Sequence, residues 1–367
     1  MTASEALTRS GWQVPALALA RWTTLLMGWV WLGQQGQRLS WSLASGLTAV
    51  VLWWSVRLFM ARRLRGRMRA SRSGLLALGM TTATGAMALS QASAGTPALL
   101  GLLMLAAVWG TWTAALDSHS LAAQRCPRPW AGWPPLLAAL ATWVAVAPWA
   151  ASVPQGLVAG AVLLAATALA WSAAPGREPA PPRLCARRRT SATHLPDTAM
   201  GCMMGSLWLS NAWCTSVGWS SHTVVGLHLA LMAVMPALVR LDGLPRHLPP
   251  TAHRLLPLIG VAAGAGLLWA GQTLAHGMVG MLLLALVWAL PDPTRHPTTA
   301  APPAGWSQWA PLLGPALLLA VGHWSPSSGP EALAWVYGVL AAWAAAWLVR
   351  DGLQAMANHR QTPRTHH

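Results

Sequence analysis

The sequence predicts an all-α polytopic membrane protein, with twelve transmembrane helices arranged as two parallel six-helix repeats. Three observations predict this fold class: the composition, the alternation of basic loops along the chain, and an internal repeat. Of the 367 residues, 54% are hydrophobic and only 9% are charged, whereas a soluble domain has about a quarter of its residues charged. Several apolar segments also approach or exceed about 18 residues, the length that indicates a spanning helix.

Pro, Gly and charged residues divide the apolar sequence into twelve predicted spans. The six spans of the first half are 15–33, 39–60, 74–92, 97–117, 135–151 and 154–174. The six spans of the second half are 199–218, 221–240, 254–272, 274–291, 308–324 and 330–350. The first fourteen residues lack the basic start and the small-residue cleavage site of a signal peptide, so we expect no processing.

The loops between these spans alternate in charge. Six arginines lie in loop 61–73 and five in loop 175–198, whereas the six loops on the other side are short and hold one arginine, Arg38. Because basic residues collect in cytoplasmic loops, both termini are predicted to be cytoplasmic in a protein of the cell inner membrane. The net charge of +16 then follows from topology, and we expect the lipid bilayer, not nucleic acid, as the partner.

The chain also resembles itself at a nearly constant offset. The segment WPPLL at 133–137 matches WAPLL at 309–313, and MGWVWL at 27–32 matches MGSLWL at 204–209. Each repeat holds six helices, and an even number returns the chain to the side where it started, so the halves are predicted to be parallel. The predicted domains are an N-terminal six-helix bundle (1–174), a cytoplasmic basic linker (175–198), a C-terminal six-helix bundle (199–350) and a cytoplasmic tail (351–367).

Few ionisable residues lie inside the predicted spans, where such residues are functional-site candidates. Arg21 lies in the first span, and Asp117 ends the fourth span. Asp117 is a candidate partner for Arg57 or Arg62, although the simpler interpretation places these three residues at the membrane surface. No carboxylate is predicted near the midplane, so the sequence does not predict a proton relay of carboxylates.

Methionines and a histidine form stripes on two consecutive predicted helices. Met200 and Met204 are one turn apart on the seventh helix, and His228, Met232 and Met235 share a face of the eighth. Because the two helices are antiparallel, the stripes overlap in depth. Thioether and imidazole ligands suit copper, and thioethers line a membrane path without burying charge. The alternative is that the methionines are flexible packing side chains, which are common in membrane helices.

These features resemble a known family of transporters. The parallel six-plus-six repeat is similar to the architecture of major facilitator transporters, and MARRLRGRMR at 60–69 resembles their Gly/Asp/Arg-rich signature with its aspartate missing. The MxxxM sequence at 200–204 and the HxxxM sequence at 228–232 resemble the motifs of the CcoA-type copper importers. That family brings copper into the cell for assembly of the cbb3-type cytochrome c oxidase.

The resemblance implies a function and a ligand set. It implies copper import by alternating access, with copper as the transported substrate and no tightly bound cofactor. The residues that it implies as copper ligands are Met200, Met204, His228 and Met232. Residues that are accessory at most are Met203, Cys202 and Met235.

Two other functions stay open from the residues. One is a major facilitator transporter of a small organic solute such as riboflavin, in which Arg21 holds an anion and tryptophans stack on a flat ring. The other is a membrane-embedded assembly factor that does not transport. No nucleophile and base arrangement or cofactor motif occurs in the sequence, so we do not expect an enzyme. We expect a monomer.

Overall fold

The computed structural model describes residues 12–40, 43–64, 71–123, 133–146 and 155–174, together with twelve single residues of the second half. Those single residues are Gly226, Leu229, Ala263, Leu267, Ala275, His276, Val279, Leu283, Val339, Ala342, Ala346 and Leu353. Within the described residues the chain is helical, with no strand. The helices of the first half are α1 (Gln13–Ser40), α2 (Leu43–Leu64), α3 (Arg72–Gln91), α4 (Thr96–Ala123), α5 (Trp133–Val146) and α6 (Gln155–Ala173).

The predicted spans of the first half each coincide with one of these helices, but their ends differ. Helix α1 continues to Ser40, so the predicted loop around Arg38 is wrong. Gln and Arg have favourable helix propensities. The Arg38 side chain also stabilises the last turn of α1, because its Nε donates to Gln35 Oε1 at 2.7 Å and its Nη2 donates to the Leu89 carbonyl at 2.6 Å. Helix α4 likewise runs past the predicted end at 117, to Ala123.

Contacts at the two ends of the bundle show that consecutive helices alternate in direction. At one end, here called the Arg72 end, the start of α3 meets the end of α6, because Arg72 Nε donates to the Ala174 carbonyl at 2.5 Å. At the other end, here called the Gly95 end, the turn between α3 and α4 meets the end of α1, because Gly95 N donates to the Leu39 carbonyl at 3.1 Å. An up-and-down arrangement is what six membrane spans joined by loops require.

Helix α1 lies at the centre of the described bundle and packs against α2, α4, α5 and α6. Small residues bring the helices close together. A Cβ placed on Gly36 of α1 would lie 2.6 Å from the Gly46 Cα of α2, and a Cβ on Gly110 of α4 would lie 2.5 Å from the Trp53 carbonyl oxygen of α2. Small residues at such crossings are typical of helix packing in membranes, where close van der Waals contact drives association.

The outer surface of the described helices suits a lipid environment. Large apolar side chains point outward, including Phe59, Leu100 and Met104. Exposed tryptophans lie at or next to helix ends, at Trp12 before α1, Trp133 at the start of α5 and Trp171 near the end of α6, as in an interfacial aromatic belt. Within the residues that the structure describes, two helical segments are long and apolar enough to cross a membrane, Thr96–His119 and Gly156–Ala173.

Candidate functional site

The residues implied as copper ligands lie outside the described part of the chain. This holds for the four proposed ligands and for the three accessory residues. Two described residues flank His228 in the sequence: Leu229 is fully buried in the core of the first-half helices, and Gly226 lies against the indole of Trp143 on α5. The eighth predicted helix therefore contacts the N-terminal bundle at these two positions. Among the described residues, no group of three or more His, Cys, Asp or Glu side chains is placed to hold a metal ion.

A buried cluster of three charged side chains joins α1, α2 and α4. Arg21 Nε donates to Asp117 Oδ1 at 2.6 Å. Arg57 approaches the other carboxylate oxygen, with its Nε 2.9 Å and its Nη2 2.8 Å from Asp117 Oδ2. The side chains of Asp117 and Arg57 are 9% and 10% exposed, whereas Arg21 is 17% exposed. We call these residues the arginine–aspartate cluster.

The alternation of helix direction brings the three residues together. Arg21 lies eight residues after the start of α1, while Arg57 and Asp117 lie seven and six residues before the ends of α2 and α4. At about 1.5 Å per residue, all three lie roughly 9 to 12 Å from the Arg72 end of the bundle. The depth of each residue follows from the sequence pattern, whereas their lateral contact depends on α1, α2 and α4 being neighbours.

The cluster carries more positive than negative charge. Two guanidinium groups at +1 each face one carboxylate at −1, which leaves a net charge of +1. Burying an uncompensated charge is unfavourable, and aromatic faces offset part of that cost here. The Arg57 guanidinium carbon lies 4.2 Å from the centre of the Trp54 ring, and that of Arg21 lies 5.7 Å from the Trp22 ring, both within the range of cation–π attraction.

Tryptophans fill the interior next to this cluster. Trp29, Trp53 and Trp54 contact one another, with ring centres 5.0 to 5.4 Å apart. The Trp109 indole N–H donates to the Thr24 carbonyl at 3.1 Å. The buried indole nitrogens that have no hydrogen-bond partner in the described part of the structure are those of Trp29, Trp31, Trp53, Trp54 and Trp112. Most buried polar groups have a partner, so this interior holds an excess of donors.

The structure confirms the pairing of Asp117 with Arg57. Both side chains are buried between helices. The sequence did not indicate Arg21 as the second partner of Asp117. The sequence does contain an indication of this contact, because the predicted spans put Arg21, Arg57 and Asp117 at a similar depth near the same side of the membrane. The side chain of Arg62 lies outside the described residues.

Comparison with known proteins does not assign a family. A scan against protein-family models finds no match for the chain, and a search of curated proteins finds no similar sequence. The resemblance to copper importers therefore rests on the internal repeat and on the two motifs, MxxxM at 200–204 and HxxxM at 228–232.

Proposed function

We propose that this protein is a membrane transporter that imports copper by alternating access. The observation that carries the proposal is the pairing of two motifs, MxxxM on the seventh predicted helix and HxxxM on the eighth. Soft thioether ligands select Cu(I), and imidazole suits copper as well. The proposed ligands are Met200, Met204, His228 and Met232, with Met203, Cys202 and Met235 as accessory residues. The imported metal would support assembly of a cbb3-type cytochrome c oxidase.

The proposed fold is that of the major facilitators, with twelve helices in two parallel bundles. It is supported by the internal repeat and by six alternating helices in the first half, the number that one repeat requires. The basic loops of the sequence support a cytoplasmic position for both termini, and the proposed location is the cell inner membrane. The Arg72 end of the bundle, which adjoins the arginine-rich loop at 61–73, is then the cytoplasmic end.

The chemistry of the ligand set suits transport. A carrier must hold its ion firmly enough to select it and weakly enough to release it. Neutral thioethers and one imidazole provide soft ligands without burying a fixed negative charge in the membrane. Contact of Gly226 and Leu229 with the N-terminal bundle supports a role for the eighth helix where the two halves meet, the region in which major facilitators bind their substrate.

The features that favour an organic solute also take part in contacts between the described helices. Arg21 donates one N–H to Asp117, and the rings of Trp29, Trp53 and Trp54 contact one another in edge-to-face or tilted arrangements. These side chains support helix packing directly, so copper remains the first proposal.

Uptake of radioactive copper by cells that lack other copper importers tests the proposal. Met204→Ala and His228→Ala should each reduce accumulation at least tenfold, because loss of one of a few ligands costs more than 1.4 kcal/mol of binding free energy. Met104→Ala is the matched control, since this methionine is 73% exposed on the outside of α4, and it should transport normally. Unchanged copper uptake in both ligand variants, with loss of riboflavin uptake, would replace the copper proposal with an organic solute.

A further inference from the structure

We propose that the arginine–aspartate cluster is an anion site that takes a carboxylate or phosphate group at the Arg72 end of the bundle. The proposal concerns Arg21, Arg57 and Asp117 alone. It does not depend on whether the protein carries copper.

The first argument is the count of donors and acceptors. Asp117 receives one N–H from Arg21 and two from Arg57. A guanidinium has five N–H donors, so four donors of Arg21 remain, and no acceptor in the described part of the chain contacts them. The Trp54 ring lies against Arg57, and its buried indole N–H likewise lacks a partner within the described residues. N–H donors without a partner among the described residues therefore lie in and beside the arginine–aspartate cluster.

The second argument is charge. The cluster has a net charge of +1, and its side chains are mostly removed from solvent. A buried cation is stabilised when a counter-charge completes the pair, and a low local dielectric strengthens that attraction. A structural ion pair would need only one arginine for Asp117. The second guanidinium is the feature that points to a further anion.

The third argument is access and shape. Arg21 is the most exposed member of the cluster, with 17% of its side chain open, whereas Arg57 and Asp117 are at or below 10%. Its Nε is taken by Asp117, which leaves the two terminal amino groups of the planar fork. Such a fork matches two oxygens of a carboxylate or phosphate. Arg57, which lies over the Trp54 ring, adds a second positive charge beside Asp117.

Two sources could supply that group: a soluble anion or the headgroup of an anionic phospholipid. Purified full-length protein in phosphatidylcholine nanodiscs distinguishes them. In one arm the discs are titrated with sodium phosphate or sodium acetate against sodium chloride at equal ionic strength, which holds screening constant. In the other arm phosphatidylglycerol replaces part of the phosphatidylcholine. The readout is the thermal unfolding midpoint, followed by tryptophan fluorescence, because a ligand that binds the folded state raises it.

We expect the wild-type midpoint to rise in at least one arm, which identifies the source. Arg21→Gln should lower the apparent affinity about tenfold or more, as expected for charged hydrogen bonds. Because removal of one arginine could prevent folding, Arg21→Lys is the second variant: it keeps the charge beside Asp117 and loses the fork, so it should fold and bind at least tenfold more weakly. Arg72→Gln is the matched control, because Arg72 lies at the same end and donates to a neutral carbonyl.

Three results would overturn the proposal. They are a wild-type midpoint that responds to neither arm, an Arg21→Lys protein that binds as tightly as the wild type, and an Arg72→Gln protein that loses affinity as much as Arg21→Gln. Copper uptake is measured separately, so failure of the anion site leaves the transport proposal standing, and the reverse holds as well.

Discussion

Asp117 determines the charge balance of the described helices. It is the only acidic residue in that part of the chain, and its two carboxylate oxygens each face a different arginine on a different helix. Removing one partner of a buried ion pair is far more costly than removing an exposed one, because the remaining charge stays buried without compensation. The stability of the contact between α1, α2 and α4 should therefore depend strongly on this carboxylate.

Replacing Asp117 with asparagine keeps the shape of the side chain and removes its charge. Two buried guanidinium groups then lie close together with no counter-charge, so we expect the free energy of unfolding to fall by about 3 to 5 kcal/mol. Denaturant unfolding in detergent micelles measures it. Asp117→Glu keeps the negative charge and should lose distinctly less. An Asp117→Asn protein as stable as the wild type would show that the carboxylate does not stabilise the bundle.

The sequence alone predicts how deep these residues lie along their helices, but it does not predict which residues of other helices they contact. Arg57 and Asp117 each lie near the end of an apolar run, which is equally compatible with a surface position and with an interior pair. Only the packing of α2 against α4 decides between them. Arg21 was missed for the same reason, because nothing in a hydropathy pattern says that α1 lies beside both.

At the scale of elements, the contact between α2 and α4 depends on the absence of a side chain. Gly110 of α4 faces the α2 backbone, where an added Cβ would lie 2.5 Å from the Trp53 carbonyl oxygen and 3.1 Å from the Arg57 nitrogen. Backbone atoms cannot turn aside as a side chain can, so the helices would have to separate. This contact also positions Arg57 for its pairing with Asp117.

Gly110→Ala should therefore be destabilising, by about 1 to 3 kcal/mol, the usual cost of overpacking. Gly101→Ala on the same helix is the matched control, because a Cβ placed there would lie nearest to the flexible end of the Leu89 side chain, with Cδ2 at 3.3 Å. Thermal unfolding followed by tryptophan fluorescence compares the two variants. Equal midpoints for Gly110→Ala and Gly101→Ala would contradict the close approach of α2 and α4.

The helices of the first half could be predicted because each is a long apolar run bounded by polar or turn-forming residues. The ends of these helices were less predictable. Arg38 is a polar residue that the sequence predicts to lie in a loop, but it belongs to α1 and donates a hydrogen bond to the Leu89 carbonyl on α3. The sequence also did not distinguish interior tryptophans from those at the surface. Trp29, Trp53 and Trp109 are fully buried, whereas Trp12, Trp133 and Trp171 are exposed at or near helix ends.

At the scale of the whole molecule, the orientation of the bundle can be tested with two serines at opposite ends of α3. Ser73 lies at the Arg72 end, in the first turn of α3. Ser93 lies at the Gly95 end, in the turn that follows α3, and both serines are exposed. In a background without the four native cysteines, Ser93→Cys should react with a membrane-impermeant maleimide in intact cells. Ser73→Cys should react only after permeabilisation, because the arginine-rich side is predicted to be cytoplasmic. The reverse pattern would contradict the proposed topology.

The central claim concerns the second half of the chain, where the sequence predicts the proposed ligands. The described residues of the proposed eighth helix, Gly226 and Leu229, lie beside the first-half helices. Copper flux into vesicles that contain only the purified protein tests it most directly, because transport is then separated from any role in assembly. We predict rapid entry of Cu(I) with the wild-type protein, and background entry when Met200, Met204, His228 and Met232 are all replaced by alanine. Background entry with the wild type, or unchanged entry with the quadruple variant, would contradict the account.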